Sequence, residues 1–254
     1  MSEPDAAVFL DNFYSALRML GGNPGGSMLE LRSGAGAFST GLPFAGENYA
    51  LFDSSISVKE LCGVLDFYDD RNLPFIALQL PKLRGKLSSE LEKRKISPRA
   101  TYLAMSIGTL PPKGKQDPMV TKVTIDTEAE KWAEAAWTGF DGDIPVPDGY
   151  LEFSQYLLRC PENSLFFLER EGLPICSALL HSTESSCGLY YFATRPEARR
   201  QGLAARLMDS LREYASRHSE DMVLLATEMG AKMYKRYGFR ELFEVPVFSA
   251  SDEF

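Results

Sequence analysis

The 254 residues are 44% hydrophobic and 24% charged, the balance of an ordinary globular chain with enough apolar mass to bury more than one core. A net charge of −8 argues against nucleic acid as a partner and suits a cationic amine, and no apolar run reaches the roughly 18 residues that a membrane span requires. Four cysteines without Cys-x-x-Cys spacing, only two histidines, and a start lacking the basic and apolar regions of a secretory signal predict free thiols in a cytoplasmic protein with no metal site.

In chain order, Ala6 to Met19 is a helical run with Phe9, Phe13, Leu17 and Leu20 on one stripe, broken by the glycine-rich stretch from Gly21 to Gly26. Met28–Leu31, Ala35–Thr40 and Tyr49–Phe52 have the length and composition of short strands. Ser57 and Glu60 form a capping box that opens a helix with Val58, Leu61, Leu65 and Tyr68 facing inward. A strand over Phe75–Leu78, a helix over Leu83–Lys95 and a strand over Thr101–Ile107 follow. The run from Pro111 to Pro118 has linker composition, which predicts an N-terminal domain over 1–115 and a C-terminal domain over 119–254.

In the second part, Glu128–Trp137 is a helix with Trp132, Ala135 and Ala136 on one side, and the Gly-, Asp- and Pro-rich segment Phe140–Pro147 is a loop before a helix over Tyr150–Leu158. Leu165–Glu169 and Ile175–Leu180 read as strands joined through Arg170–Pro174, where glycine and proline supply turn geometry. The strand Leu189–Thr194 then empties through a basic turn, Arg199-Arg200-Gln201-Gly202, into a helix with Leu203, Leu207, Leu211 and Tyr214 at helical spacing.

That turn has the chemistry of an anion site. The first N–H groups of a helix lack internal partners and carry the positive end of the macrodipole, so a phosphate is stabilised there without a special side chain. Gly202 has no Cβ to hold a pyrophosphate away from the main chain, and Arg199, Arg200 and Arg206 add positive charge. The pattern is neither that of a nucleotide-triphosphate P-loop nor the Gly-x-Gly-x-x-Gly of dinucleotide binders. Further on, Met222–Thr227 reads as a strand and Glu228–Tyr237 as a helix, stopped by Gly238 in the left-handed position that ends helices.

Arg199-x-x-Gly202-x-Ala204 resembles the acyl-coenzyme-A signature of the GCN5-related N-acetyltransferases, the GNAT superfamily, and Ala231-x-x-Tyr234-x-x-x-Gly238-Phe239 resembles its second segment. The resemblance covers the chain from about Val120 onward and implies an α+β GNAT fold, a mostly antiparallel twisted sheet flanked by helices. The N-terminal elements partly parallel this order without a phosphate-binding signature, which suggests a second, degenerate GNAT-like repeat. The resemblance also implies roles. Tyr191, Phe192, Ala193 and Thr194 would hold the pantetheine arm, and Arg199, Arg200, Gln201, Gly202, Leu203, Ala204 and Ala205 the pyrophosphate. Thr227 stands where many relatives carry an asparagine that touches the coenzyme, and Tyr234 matches the tyrosine that protonates the departing thiolate.

A tyrosine, with an ordinary pKa of about 10, is protonated at neutral pH and suits that task. The function implied is acyl transfer, acetyl from acetyl-CoA to a primary amine by direct attack in a ternary complex. A longer acyl group, or a non-catalytic acyl-CoA sensor, is the alternative. The acceptor would be a small-molecule or peptide amine, the protein a monomer or homodimer. His181, Glu228, Asp141 and Asp143 are the groups placed to take the amine proton, and none is singled out.

Overall fold

The computed structural model describes residues 3–53, 56–80, 88–108, 117–140, 142–218 and 221–250. Helix α1 (Glu3–Gly21) leads into strands β1 (Ser27–Glu30), β2 (Gly36–Ser39) and β3 (Asn48–Phe52), helix α2 (Val58–Asp69), β4 (Ile76–Gln79), α3 (Ser88–Lys93) and β5 (Ser97–Gly108). Then come β6 (Val120–Lys122), α4 (Asp126–Gly139), α5 (Asp148–Arg159), β7 (Asn163–Arg170), β8 (Leu173–Ser182), β9 (Ser186–Thr194), α6 (Leu203–Ala215), β10 (Asp221–Ala226), α7 (Glu228–Arg236) and β11 (Arg240–Ser249). Of the expected features, the start of the helix over Leu83–Lys95 and residues 111–116 of the linker lie outside the described residues.

These elements form two compact units. One comprises Tyr14–Met105 with Leu225–Phe254, the other Ser2–Phe13 with Ser106–Leu224.

In the first unit the strands lie in the order β1-β2-β3-β4-β11-β5. β3 and β4 are parallel, and β11 returns antiparallel to β4 with Val247 opposite Leu78. The expected capping box opens α2: the Ser57 hydroxyl accepts the Glu60 N–H, and the Glu60 carboxylate accepts the Ser57 N–H. Leu61, Leu65 and Tyr68 are buried against Phe52, Phe75 and Ala77. Val58 is 53% exposed although its spacing pointed inward. It is the first residue of α2, and helical side chains lean toward the N-terminus, which carries this one past the edge of the core.

The second unit has the strand order β10-β9-β8-β7-β6. β6 to β9 pair antiparallel and β10 joins β9 in parallel, a mostly antiparallel sheet as expected. α4 lies closely on β8 because Ala129, Ala133 and Ala136 are small, and the fully buried Trp132 donates its Nε1–H to the Ala178 carbonyl at 2.8 Å. The α6 stripe buries Leu203, Leu207 and Leu211, as its spacing predicts. Asn12, completely buried, donates to the carbonyls of His181 and Ser186 and accepts the Tyr190 hydroxyl, so its polar atoms are satisfied inside the core.

Candidate functional site

The site starts with a break in β9. Opposite β8, Ser177 pairs with Ala193 but Leu179 with Tyr190, so the segment after Tyr190 bulges. Tyr191 takes a left-handed φ of 49°, costly for a residue with a Cβ, and the Ser177 hydroxyl secures it by donating to the Tyr191 carbonyl at 2.8 Å. The Tyr191 ring packs edge-on to Trp132 and Phe153. The parallel pairing with β10 runs from Asp221↔Ser186 to Leu224↔Leu189, while β9 continues to Thr194. Phe192 and Thr194 are half-buried and Ala193 is buried at this end of the strand.

Beyond Thr194 the chain is tied down at Arg195, which sequence reasoning passed over. Its buried guanidinium pairs with Glu134 of α4 and with Glu197, each at 3.0 Å, and donates to the Pro174 carbonyl. A short 3-10 turn, Pro196–Ala198, then leads to Arg199. Arg199 donates from Nε to the Thr194 carbonyl and from Nη2 to the Gly139 carbonyl, both at 3.0 Å. Arg200 and Gly202 both have left-handed backbones, with φ of 62° and 79°.

Gly202 is the N-cap of α6. That helix begins with no side-chain cap and no acidic residue in its first turn, and a Cβ on Gly202 would meet no protein atom within 4 Å. Helix geometry leaves the amides of Leu203, Ala204 and Ala205 without intrahelical acceptors, aimed beside an exposed glycine at the positive end of the dipole. Gln201, also exposed, accepts from Arg170 and donates to the Glu197 carbonyl. Arg206 turns to Asp117, which it binds through two nitrogens and whose carboxyl it holds below the ordinary range. The charge at the turn is therefore that of Arg200 and the main chain more than of Arg206.

The other motif residues belong to the first unit. Thr227 is the N-cap of α7, its hydroxyl accepting the Gly230 N–H at 3.2 Å while keeping its own hydrogen to donate. Tyr234 is buried, its ring edge-on to Phe239 at 5.6 Å and seated against Gly230. Burial pushes its hydroxyl well above the ordinary tyrosine pKa. Gly238, with φ of 92°, ends α7 in the left-handed conformation foreseen for it. A depression of about 550 Å³, lined by Ala100, Tyr102, Thr227, Glu228, Met229 and Lys232, opens at the start of this helix.

Among the residues considered for proton removal, His181 is 1% exposed, its Nδ1 on the Asn163 carboxamide oxygen at 2.8 Å and its pKa lowered by burial. It is a structural group. Glu228 is exposed in the first turn of α7, Asp143 is exposed in the loop after α4, and Asp141 lies outside the described residues. That loop is pinned by the Trp137 indole donating to the Asp143 carbonyl at 2.6 Å, and it holds Phe140 and Ile144 in solvent at 58% and 65% exposure. No group of side chains suited to a metal ion occurs among the described residues, and none of their helices is long and apolar enough to cross a membrane.

The family model of the acetyltransferase (GNAT) domain matches residues 161–241, a span that contains the β9 end, the α6 turn and α7. Over that span the chain is similar to a GNAT domain. Its fold is similar to a solved GCN5-related N-acetyltransferase from Kribbella flavida, with a TM-score of 0.63 and 12% identity over 94% of each chain. It is also similar to one from Sphaerobacter thermophilus, with a TM-score of 0.58 and 15% identity over 95% of this chain and 86% of that one. A Drosophila protein is matched over 98% of this chain and 97% of its own, with a TM-score of 0.53 and 14% identity. At such identities the likeness is one of fold, and it establishes a mixed α/β GNAT architecture. No curated sequence relative matches the chain.

Proposed function

We propose that this GNAT protein is an acyl-CoA-dependent N-acyltransferase that moves acetyl from acetyl-CoA to a primary amine by direct attack. The observation that carries this reading is the start of α6, where uncapped amides, an acid-free first turn and a left-handed Gly202 open to solvent converge. Those features fit a diphosphate. Arg199 to Ala205 would hold the pyrophosphate, chiefly through main-chain N–H groups and the exposed Arg200, and Tyr191 to Thr194 the pantetheine arm along the bulged end of β9. The coenzyme supplies an acyl group activated as a thioester.

The protein's own part is placement and charge. Fixing two reactants in one geometry lowers a barrier by about 7–11 kcal/mol in well-oriented systems, and one main-chain donor to a developing oxyanion adds about 3–4 kcal/mol. A β9 main-chain N–H is the proposed donor. Tyr234, held protonated across the neutral range by burial, is the proposed proton source for the leaving thiolate, and Thr227 a secondary coenzyme contact. The pinned loop with exposed Phe140 and Ile144 is the proposed acceptor side, for a small-molecule or peptide amine. The fold likeness over nearly the whole chain supports a degenerate GNAT-like N-terminal half, and the proposed location of the enzyme is the cytoplasm.

The test is to follow free thiol as purified protein meets acetyl-CoA and a panel of primary amines. Amine-dependent release that falls about 100-fold in Tyr234→Phe supports the reading. Coenzyme binding with no amine-dependent release would point to a sensor instead. Release from longer acyl-CoA alone would change the donor.

A further inference from the structure

We infer that Arg199 is a positioning residue, whose guanidinium pins the donor-binding turn to the end of β9 and to the end of α4 instead of gripping phosphate itself. The inference rests on the donor reading above. It comes from where the fork of the side chain goes. Nε reaches the last carbonyl of β9, Thr194, and Nη2 reaches the carbonyl of Gly139, the last residue of α4. Carbonyls at a helix C-terminus lack intrahelical donors and sit at the negative end of the dipole, so a cation there is doubly stabilised.

The neighbouring contacts agree. Gly139 lets α4 come down on β9: a Cβ there would lie 2.6 Å from the Ala193 Cβ and 3.2 Å from the Thr194 nitrogen. One turn earlier, Glu134 of α4 holds Arg195. Helix, strand end and turn are thus joined by two arginines four residues apart, while Arg200, between Arg199 and Gly202, faces solvent. A guanidinium bonds two divergent carbonyls through separate nitrogens. A lysine ammonium, one compact charge on a flexible stem, does not reproduce that fork.

Coenzyme A and pantetheine, which lacks the diphosphate, separate the two roles. Dissociation constants for both are measured by calorimetry, with pantetheine followed by displacement, for the wild-type protein, Arg199→Gln, Arg199→Lys and Arg200→Gln. Arg199→Gln and Arg199→Lys are expected to weaken both ligands by a common factor of about ten, leaving their ratio unchanged. Arg200→Gln is expected to weaken coenzyme A selectively. Mere destabilisation lowers the binding stoichiometry and not the constants. Should Arg199→Gln fail to fold, Arg199→Lys carries the same comparison. A loss confined to coenzyme A in Arg199→Gln, restoration of both constants by lysine, or no loss at all overturns the positioning role. Wild-type protein that binds neither ligand overturns the donor reading itself.

Discussion

Gly202 is where stability and ligand binding are separable. Its φ of 79° and ψ of 0° lie in the left-handed region, and an added Cβ meets no protein atom within 4 Å, so substitution costs backbone strain and no clash. Strain of that kind is worth about 1–2 kcal/mol for alanine. Aspartate tolerates the left-handed region better and is a good N-cap on the positive end of α6, which recovers about 0.5–1 kcal/mol. Stability should therefore fall in the order wild type, Gly202→Asp, Gly202→Ala.

Affinity for coenzyme A should follow a different order. Alanine leaves the amides of Leu203, Ala204 and Ala205 available, whereas aspartate occupies them with its own carboxylate. Losing hydrogen bonds to a charged ligand costs about 1.5–3 kcal/mol, or roughly 10- to 150-fold in Kd. Urea denaturation and calorimetric titration on the same samples give both orders. An aspartate variant that binds coenzyme A as tightly as wild type, or no worse than the alanine variant, refutes the assignment of the anion to these amides.

Replacing both Phe140 and Ile144 with serine removes exposed apolar surface, so stability should change by less than about 0.5 kcal/mol while the amine KM rises several-fold and coenzyme affinity stays fixed; an unchanged amine KM removes this loop from the acceptor side. Asn12→Leu removes the side-chain donor to the His181 and Ser186 carbonyls and the acceptor of the buried Tyr190 hydroxyl, and should cost about 1–3 kcal/mol by chemical denaturation; a loss under about 0.5 kcal/mol contradicts the network. Tyr14 is pushed up to about 12, chiefly by burial, and burial also raises Tyr68, Tyr190 and Tyr234. Their folded pKa values exceed the unfolded value of about 10, so stability is fully present below that pH and is lost as pH rises through the folded values. Thermal unfolding followed alongside tyrosinate absorbance from about pH 8 to about pH 11 should show Tm falling in step with tyrosine ionisation above about pH 10, and tyrosinate that forms with no accompanying fall in Tm contradicts the burial of these hydroxyls.

What the sequence discloses and what it hides divide along a physical line. The α6 stripe, the Ser57–Glu60 box and the Gly238 stop are local, set by spacing within a few residues, and they are visible without a partner. The bulge at Tyr191 is not, because it depends on Ser177 of the facing strand reaching the Tyr191 carbonyl. Gly139 looks like an ordinary helix end until Ala193 is seen against it, and Arg206 looks like a phosphate ligand until Asp117 takes it. The pairing of β11 with β4 likewise joins residues about 170 positions apart, beyond the reach of periodicity. For the site itself, the basic glycine turn is legible. The duty of each arginine within it is decided by tertiary contacts that the pattern does not contain.

The most direct test of the central claim is a crystal structure of the protein bound to coenzyme A. The diphosphate is expected on the amides at the start of α6 beside Gly202, with the pantetheine arm running along the bulged end of β9. A diphosphate bound anywhere else on the protein contradicts the account.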